Sequence, residues 1–300
     1  MLINNTQPYN ISFKNSSKSK KAHRQANIIK SLIPFCFLVS APTLQTPLAN
    51  DEFIKTESSI YYNDNYGVIA DSLSLNYEDS IVKEALKNKI ITIDAGHGGT
   101  QATTFSNPYG ARYYDKKNKQ YINEKDITLN ISKEVERLLK LAGADVKMTR
   151  DSDEYIPIEN RSEKVNNFKS NMMVSIHVNA NKCKSVHGPE VYVRSKKANI
   201  EQNAISNAVG QIILDNLAKD YKLPSKPLSC NDYNILEETK EIPGILVETG
   251  YLSNPKDRQE LLNEDYQKLL AKSIAAGIVK YWVETKINND TANYLSSIKL

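Results

Sequence analysis

The stretch KIITIDAGHGG, residues 89–99, decides how the chain is read. KIITID is an apolar, β-branched run of the kind that forms a buried strand. It ends in His97, set among Gly96, Gly98 and Gly99, so the strand passes at once into a turn too tight for ordinary side chains. In open α/β sheets, ligands gather at the carboxyl ends of strands. A histidine displayed there is placed for chemistry if partners arrive from elsewhere in the chain; alone, it could equally be a surface turn residue.

Working outward, strand and helix patterns alternate. DITLNISKEVERLLKLAG carries Ile127, Ile131, Val135, Leu138, Leu139 and Ala142 at helical spacing and stops at Gly143. ADVKMT, MMVSIHV and PEVYVRS read as strands, and YNILE and GILVETG as short ones. IENRSEKVNNF reads as a helix. NIEQNAISNAVGQIILDNLA is a long helix with Ile200, Ala204, Ile205, Ala208, Val209, Ile212, Ile213 and Leu217 on one side. DYQKLLAKSIAAGIVKYWVE closes the series as a helix, and SIVKEALKN could make a short one before it. The expected fold is α/β: a single domain with a twisted mixed, mostly parallel sheet flanked by helices on both faces.

The 300 residues carry a net charge of +4, unevenly placed. Residues 1–49 hold Lys14, Lys18, Lys20, Lys21, Arg24 and Lys30 and no acid; the remaining 33 basic and 35 acidic residues leave the rest at −2. Nucleic-acid binding therefore lacks electrostatic support. The basic head precedes SLIPFCFLVSA, residues 31–41, too short to span a bilayer but suited to a signal peptide over 1–49. No membrane span is expected after processing. Residues 50–88 read as a polar linker or arm, 89–284 as the catalytic domain and 285–300 as a C-terminal tail, frayed from about Asn288. Export to the periplasm is the expected location, with secretion or wall association as the alternative. Only Cys183 and Cys230 would remain, and two cysteines permit a disulfide without requiring one.

His177 ends the strand MMVSIH, as His97 follows KIITID. Two imidazoles at strand ends would converge on one metal, although two unrelated structural histidines remain open. Glu124 in NEKDITLN stands where the helix begins: a first-turn acid favouring the helix dipole, or a third ligand. His, Glu and His form a catalytic zinc set with a position left for water. Glu248 follows the apolar Ile245–Val247 run, where a carboxylate is desolvated: a proton carrier, or an acid paired with a cation.

IDAGHGG, NEKDITLNI, MTRDSDEYIPIENR, VSIHVNAN and PGILVETGYLSN, in this order, resemble the zinc-dependent N-acetylmuramoyl-L-alanine amidases of the amidase-3 family across about residues 89–284. The resemblance implies one Zn²⁺ held by His97, Glu124 and His177, with Glu248 as acid/base. It implies hydrolysis of the bond between N-acetylmuramic acid and the stem peptide's L-alanine, with peptidoglycan or muropeptides as substrate. Asp94 would orient His97 or cap its loop, Asn179 would bond near the metal or substrate, and Arg150 and Arg161 would brace loops or pair with acids. TQATTFSNPYGARYYDKKNKQYI, residues 100–122, departs from the family pattern as an insert able to rim the cleft; its YYDKKNKQ run reads as a solvated loop. Glu237 stands where many relatives carry Arg, which removes an expected carboxylate contact. The link between PEVYVRS and the segment around Ile235 leaves no room for the long autoinhibitory helix of some periplasmic relatives, so the cleft is expected to be open without an activator protein. A zinc peptidase acting on stem peptides and a non-catalytic peptidoglycan-binding regulator are the alternatives; the absence of HExxH removes the common zincin route.

Overall fold

The computed structural model describes residues 76, 79–101, 107–194, 200–223 and 227–297. The expected signal peptide, and most of the arm before residue 76, lie outside them. Six strands form the main sheet: β1 (Ile90–Ala95), β4 (Asp145–Met148), β5 (Met172–Asn179), β6 (Glu190–Val193), β7 (Ser229–Cys230) and β8 (Gly244–Tyr251). Their order is β4-β1-β5-β8-β6-β7. The four from β4 to β8 are mutually parallel, and β6 joins β8 antiparallel with β7 parallel to it. β2 (Arg112–Asp115) and β3 (Gln120–Asn123) make a separate antiparallel hairpin. The helices are α1 (Ser80–Leu86), α2 (Glu124–Leu141), α3 (Ile158–Asn167), α4 (Ile200–Asp220), α5 (Asn234–Glu238), α6 (Pro255–Leu261) and α7 (Glu264–Ser297).

Strand alternation divides the sheet into two chemically different faces. Ile91 and Ile93 of β1, Met172, Val174, Ile176 and Val178 of β5, and Ile245 and Val247 of β8 point to one side. There they meet α1, α2, α4 and α7 in the large core. At about 1.5–3 kcal/mol for each fully buried aliphatic side chain, this face carries most of the apolar stabilisation. Met173 and Leu246 point to the other side, into a small cluster with Val165 of α3 and Ile235 and Leu236 of α5. The same alternation sends Asp94, Ser175, His177 and Glu248 to that thin side. Its short helices leave the strand ends uncovered.

Four expectations need correction. YNILE is a one-turn helix, not a strand: Ile235 and Leu236 both reach the small core, and the Thr239 hydroxyl donates to the Ile235 carbonyl at 2.7 Å. Over its described residues the tail from Asn288 is not frayed; α7 continues to Ser297, extended by Ile287 packing on the core and a Lys286–Asp290 pair of 3.1 Å. YYDKKNKQ is a hairpin rather than a loop, because Asp115 accepts from Lys117 N at 2.9 Å and the Asn118 amide at 2.7 Å while Lys119 takes φ +53°. On α4 the buried stripe is Val209, Gly210, Ile213, Leu214 and Leu217, and Ile200 stands 76% exposed. α1 forms as expected and buries Val82, Ala85 and Leu86, so the end of the arm is part of the core.

Candidate metal centre

The turn after β1 is set by groups that grip its carbonyls. Arg150 donates to the Ala95 and Gly96 oxygens, each at 2.9 Å, and to the Lys125 oxygen at 2.8 Å. Arg161 donates to the Ala95 oxygen at 2.6 Å and to the His97 oxygen. Lys125 and Asp153, 2.5 Å apart, close on the Gly99 carbonyl and N–H. His97 is held at φ +60° with Gly98 at +134°. A Cβ on Gly98 would lie 2.1 Å from the Glu154 oxygen, so glycine is required there.

His97 Nδ1 lies 2.7 Å from the Asn107 carbonyl oxygen. A carbonyl only accepts, so Nδ1 carries the proton and Nε2 offers its lone pair. Nε2 is 3.3 Å from Glu124 Oε1, and His177 Nδ1 is 2.9 Å from the same oxygen. Glu124 is 4% exposed at the start of α2; Oε1 also accepts from Val178 N at 2.9 Å and Oε2 from Ala111 N at 2.6 Å. Burial alone would raise its pKa, but His177 and His97 hold it well below the usual range. Burial pulls His97 down; Glu124 and the Asn107 carbonyl outweigh it and raise it. One ligand atom from each of His97, Glu124 and His177 lies within 4.8 Å of the others. Two imidazole nitrogens and a carboxylate oxygen facing one point are a donor set suited to Zn²⁺.

Glu248 stands beside this triad because β5 and β8 pair in register, His177 opposite Glu248. It is 8% exposed, and its Oε2 is buried with no hydrogen-bond partner among the described residues. Burial, then Glu124 and Glu190, push its pKa well above the carboxylate range. The cleft over these groups is about 650 Å³, with Gly110, Ala111, Asn179 and Tyr233 on its walls.

Asp94 does not touch His97. It accepts from Thr149 and Ser175, each at 2.6 Å, and from Arg161 at 2.9 Å, and reaches His97 only through Arg161. Arg150 and Arg161 brace the loop. Asn179 reaches the cleft wall, and its amide donates to Glu190 Oε2 at 3.3 Å. Glu237 lies 3.9 Å from Arg194. α4 packs in the large core, away from the thin face that bears the triad. Cys183 and Cys230 are both free and exposed. Glu190 was not expected at the site: it pairs in register with Glu248 across β6 and β8 and accepts from the Tyr192 hydroxyl at 2.6 Å. Only its place opposite Val191 and Val193 was readable beforehand; its neighbour required knowing that β6 joins β8.

Burial raises the Asp94 pKa, but Arg161, Ser175 and Thr149 bring it down to about 2 from 3.8. A lowered folded-state value stabilises above the unfolded pKa, and that stability is lost as pH falls through about 2. The contribution is about 2 kcal/mol. Denaturant titrations between pH 5 and 2 should show it in the wild type and lose it in Asp94→Asn. Arg161→Ala should cost about 3–5 kcal/mol at pH 7, since it strands a buried carboxylate.

The family model described as N-acetylmuramoyl-L-alanine amidase matches residues 91–280. The probable cell wall amidase LytH of Staphylococcus epidermidis is 29% identical over 212 residues, covering 70% of this chain and 64% of that protein. Its Staphylococcus aureus counterpart is 30% identical over 211 residues, again covering 70% and 64%. The chain thus spans 64% of the length of these relatives. Among solved structures, the CwlD amidase of Clostridioides difficile in complex with the GerS lipoprotein matches with TM-score 0.56 and 30% identity, over 65% of this chain and 98% of that one. The catalytic domain of CwlV, an N-acetylmuramoyl-L-alanine amidase from Bacillus (Paenibacillus) polymyxa, matches with TM-score 0.54 and 30% identity, over 64% and 97%.

Proposed function

This chain belongs to the N-acetylmuramoyl-L-alanine amidase family, Amidase_3, and from that membership we propose that it hydrolyses the amide joining N-acetylmuramic acid to the L-alanine of the stem peptide. The observation that carries the reading is the convergence of His97, Glu124 and His177 within 4.8 Å, with Glu248 beside them on the next strand. These three would hold one Zn²⁺. The ion, when bound, supplies Lewis acidity that brings water towards a pKa of ~7 and polarises the scissile carbonyl. The rest is done by the chain. Glu248 accepts the proton of the attacking water and delivers it to the departing amine nitrogen. An amide expels a poor leaving group, so that delivery is as necessary as the attack. The Asn107 carbonyl keeps His97 in the ligating tautomer, and Arg150 and Arg161 keep its turn in place.

We assign the catalytic domain to residues 89–284 and export to the basic, then apolar, head over 1–49. The staphylococcal relatives are named probable cell wall amidases, which supports a substrate outside the membrane. No described helix is long and apolar enough to cross a membrane.

The purified chain should release free stem peptides beginning with L-alanine from muropeptides, identified by mass. A chelator should stop the release and zinc restore it. Shortened stems still on sugar would point to a peptidase, and binding without any product to a regulator.

A further inference from the structure

Resting on the amidase reading, we propose that the outer face of the β2–β3 hairpin is a carbohydrate-binding surface that seats the glycan strand of the substrate beside the metal centre. The hairpin pairs Arg112 with Asn123 and Tyr114 with Tyr121, so the alternation of both strands places these four on one face. The opposite face, with Tyr113 and Ile122, packs on the large core, and the Arg258 guanidinium lies 3.6 Å from the Tyr113 ring centroid. The outer face therefore looks away from the protein. Tyr114 is 45% and Tyr121 53% exposed.

These rings are already positioned. Tyr114 and Tyr121 meet edge-on with centroids 5.1 Å apart. The Arg112 guanidinium lies 3.9 Å from the Tyr121 ring centroid and 4.2 Å from that of Tyr109, and its Nε donates to Asn123 Oδ1 at 3.1 Å. A surface ordered in advance loses little side-chain entropy on binding. A pyranose ring presents a C–H face and an edge of hydroxyls. Tyrosine rings suit the first, and the remaining guanidinium N–H groups beside them suit the second.

Location selects the occupant. Gly110 and Ala111, which line the cleft, run directly into β2, and β3 runs directly into Glu124. Tyr121 is thus three residues from a metal ligand, about 10 Å of extended chain. The scissile bond joins peptide to sugar, so a sugar must lie against the centre, and its glycan neighbours must cross whatever surface adjoins it.

The test uses the full chain carrying Glu248→Gln and peptide-free glycan strands, so that turnover plays no part. The parent should bind, Tyr114→Ala/Tyr121→Ala should weaken binding about tenfold or more, and Tyr114→Phe/Tyr121→Phe should bind like the parent. Zinc content and unfolding midpoint should not change in either double variant. No glycan binding by the parent, equal binding by the alanine variant, or a phenylalanine variant as weak as the alanine one would each overturn the proposal. So would a hairpin that captures a protein partner but no glycan. Glycan binding by a wild type that cleaves no muropeptide would leave the surface standing and remove the amidase reading instead.

Discussion

Glu248→Gln should lower turnover by about a thousandfold and leave zinc content unchanged. Glutamine keeps the shape of the side chain and cannot carry the proton, and positioned acid–base groups contribute about 10²–10⁴ in rate. Glu248 is not among the three residues whose ligand atoms cluster, so the ion should stay. The two readouts separate it from His177→Ala, which should lose both. A stability effect of the opposite sign accompanies the loss. Burial and the neighbouring Glu124 and Glu190 raise the Glu248 pKa in the folded, metal-free protein. A raised folded-state value means that protonation favours the fold, and that this benefit fades as pH climbs through it. At neutral pH the wild-type acid is therefore a strained group, and the metal-free Gln variant should melt higher than the metal-free wild type. Sites that need a poised, desolvated acid commonly surrender stability to keep it. The measurements are stem-peptide release, zinc by elemental mass spectrometry and melting temperature. Wild-type turnover in the Gln variant would remove Glu248 from the mechanism.

What was legible beforehand follows the range of each signal. The central strands and α2 announced themselves, since their apolar residues recur at one period over a whole element and burial on one face demands that. The residues gathered at the site were legible for a related reason: His97 and His177 end apolar strands, and a carboxylate after Ile245–Val247 has no ordinary reason to be there. YNILE failed because five residues with two adjacent apolar positions satisfy a strand and a helical turn equally; the choice was made by Arg194, which grips the Leu236, Lys240 and Ile242 carbonyls from outside the segment. α6 was missed although its signal was present: Asn254 accepts from Lys256 N and Asp257 N ahead of a first-turn Pro255. For Asp94 the sequence left open whether it orients His97 or caps the loop, because it does not show that Arg161 is the cation that links the two. Glu190 was out of reach because its neighbour depends on which strand joins which.

Gly96→Ala should empty the centre of metal while every donor stays in the chain. A Cβ on Gly96 would lie 2.5 Å from His177 Cε1 and 2.7 Å from both ring nitrogens. Real contacts are not that short, so either the turn or the ring must move. The turn is held by carbonyl contacts from Arg150 and Thr128 at Gly96 itself. The ring has no easier route, because β5 is paired on both sides at this level, with Ile176 opposite Ala95 and His177 opposite Glu248. A displacement of about 1 Å takes a nitrogen out of ligand range, where accepted distances vary by only about 0.2 Å. Zinc affinity should fall by about ten- to a hundredfold, and turnover with it. General destabilisation is separated from this by Gly143→Ala. Gly143 has φ +93° and the nearest atoms to its added Cβ belong to Lys83, the backbone oxygen at 3.3 Å, far along the chain from every ligand. That variant should lose about 1 kcal/mol of stability and keep its zinc. If Gly96→Ala binds zinc as tightly as the wild type, the His177 ring is not where the ion is held, and the three-residue centre must be abandoned even though its atoms lie so close together.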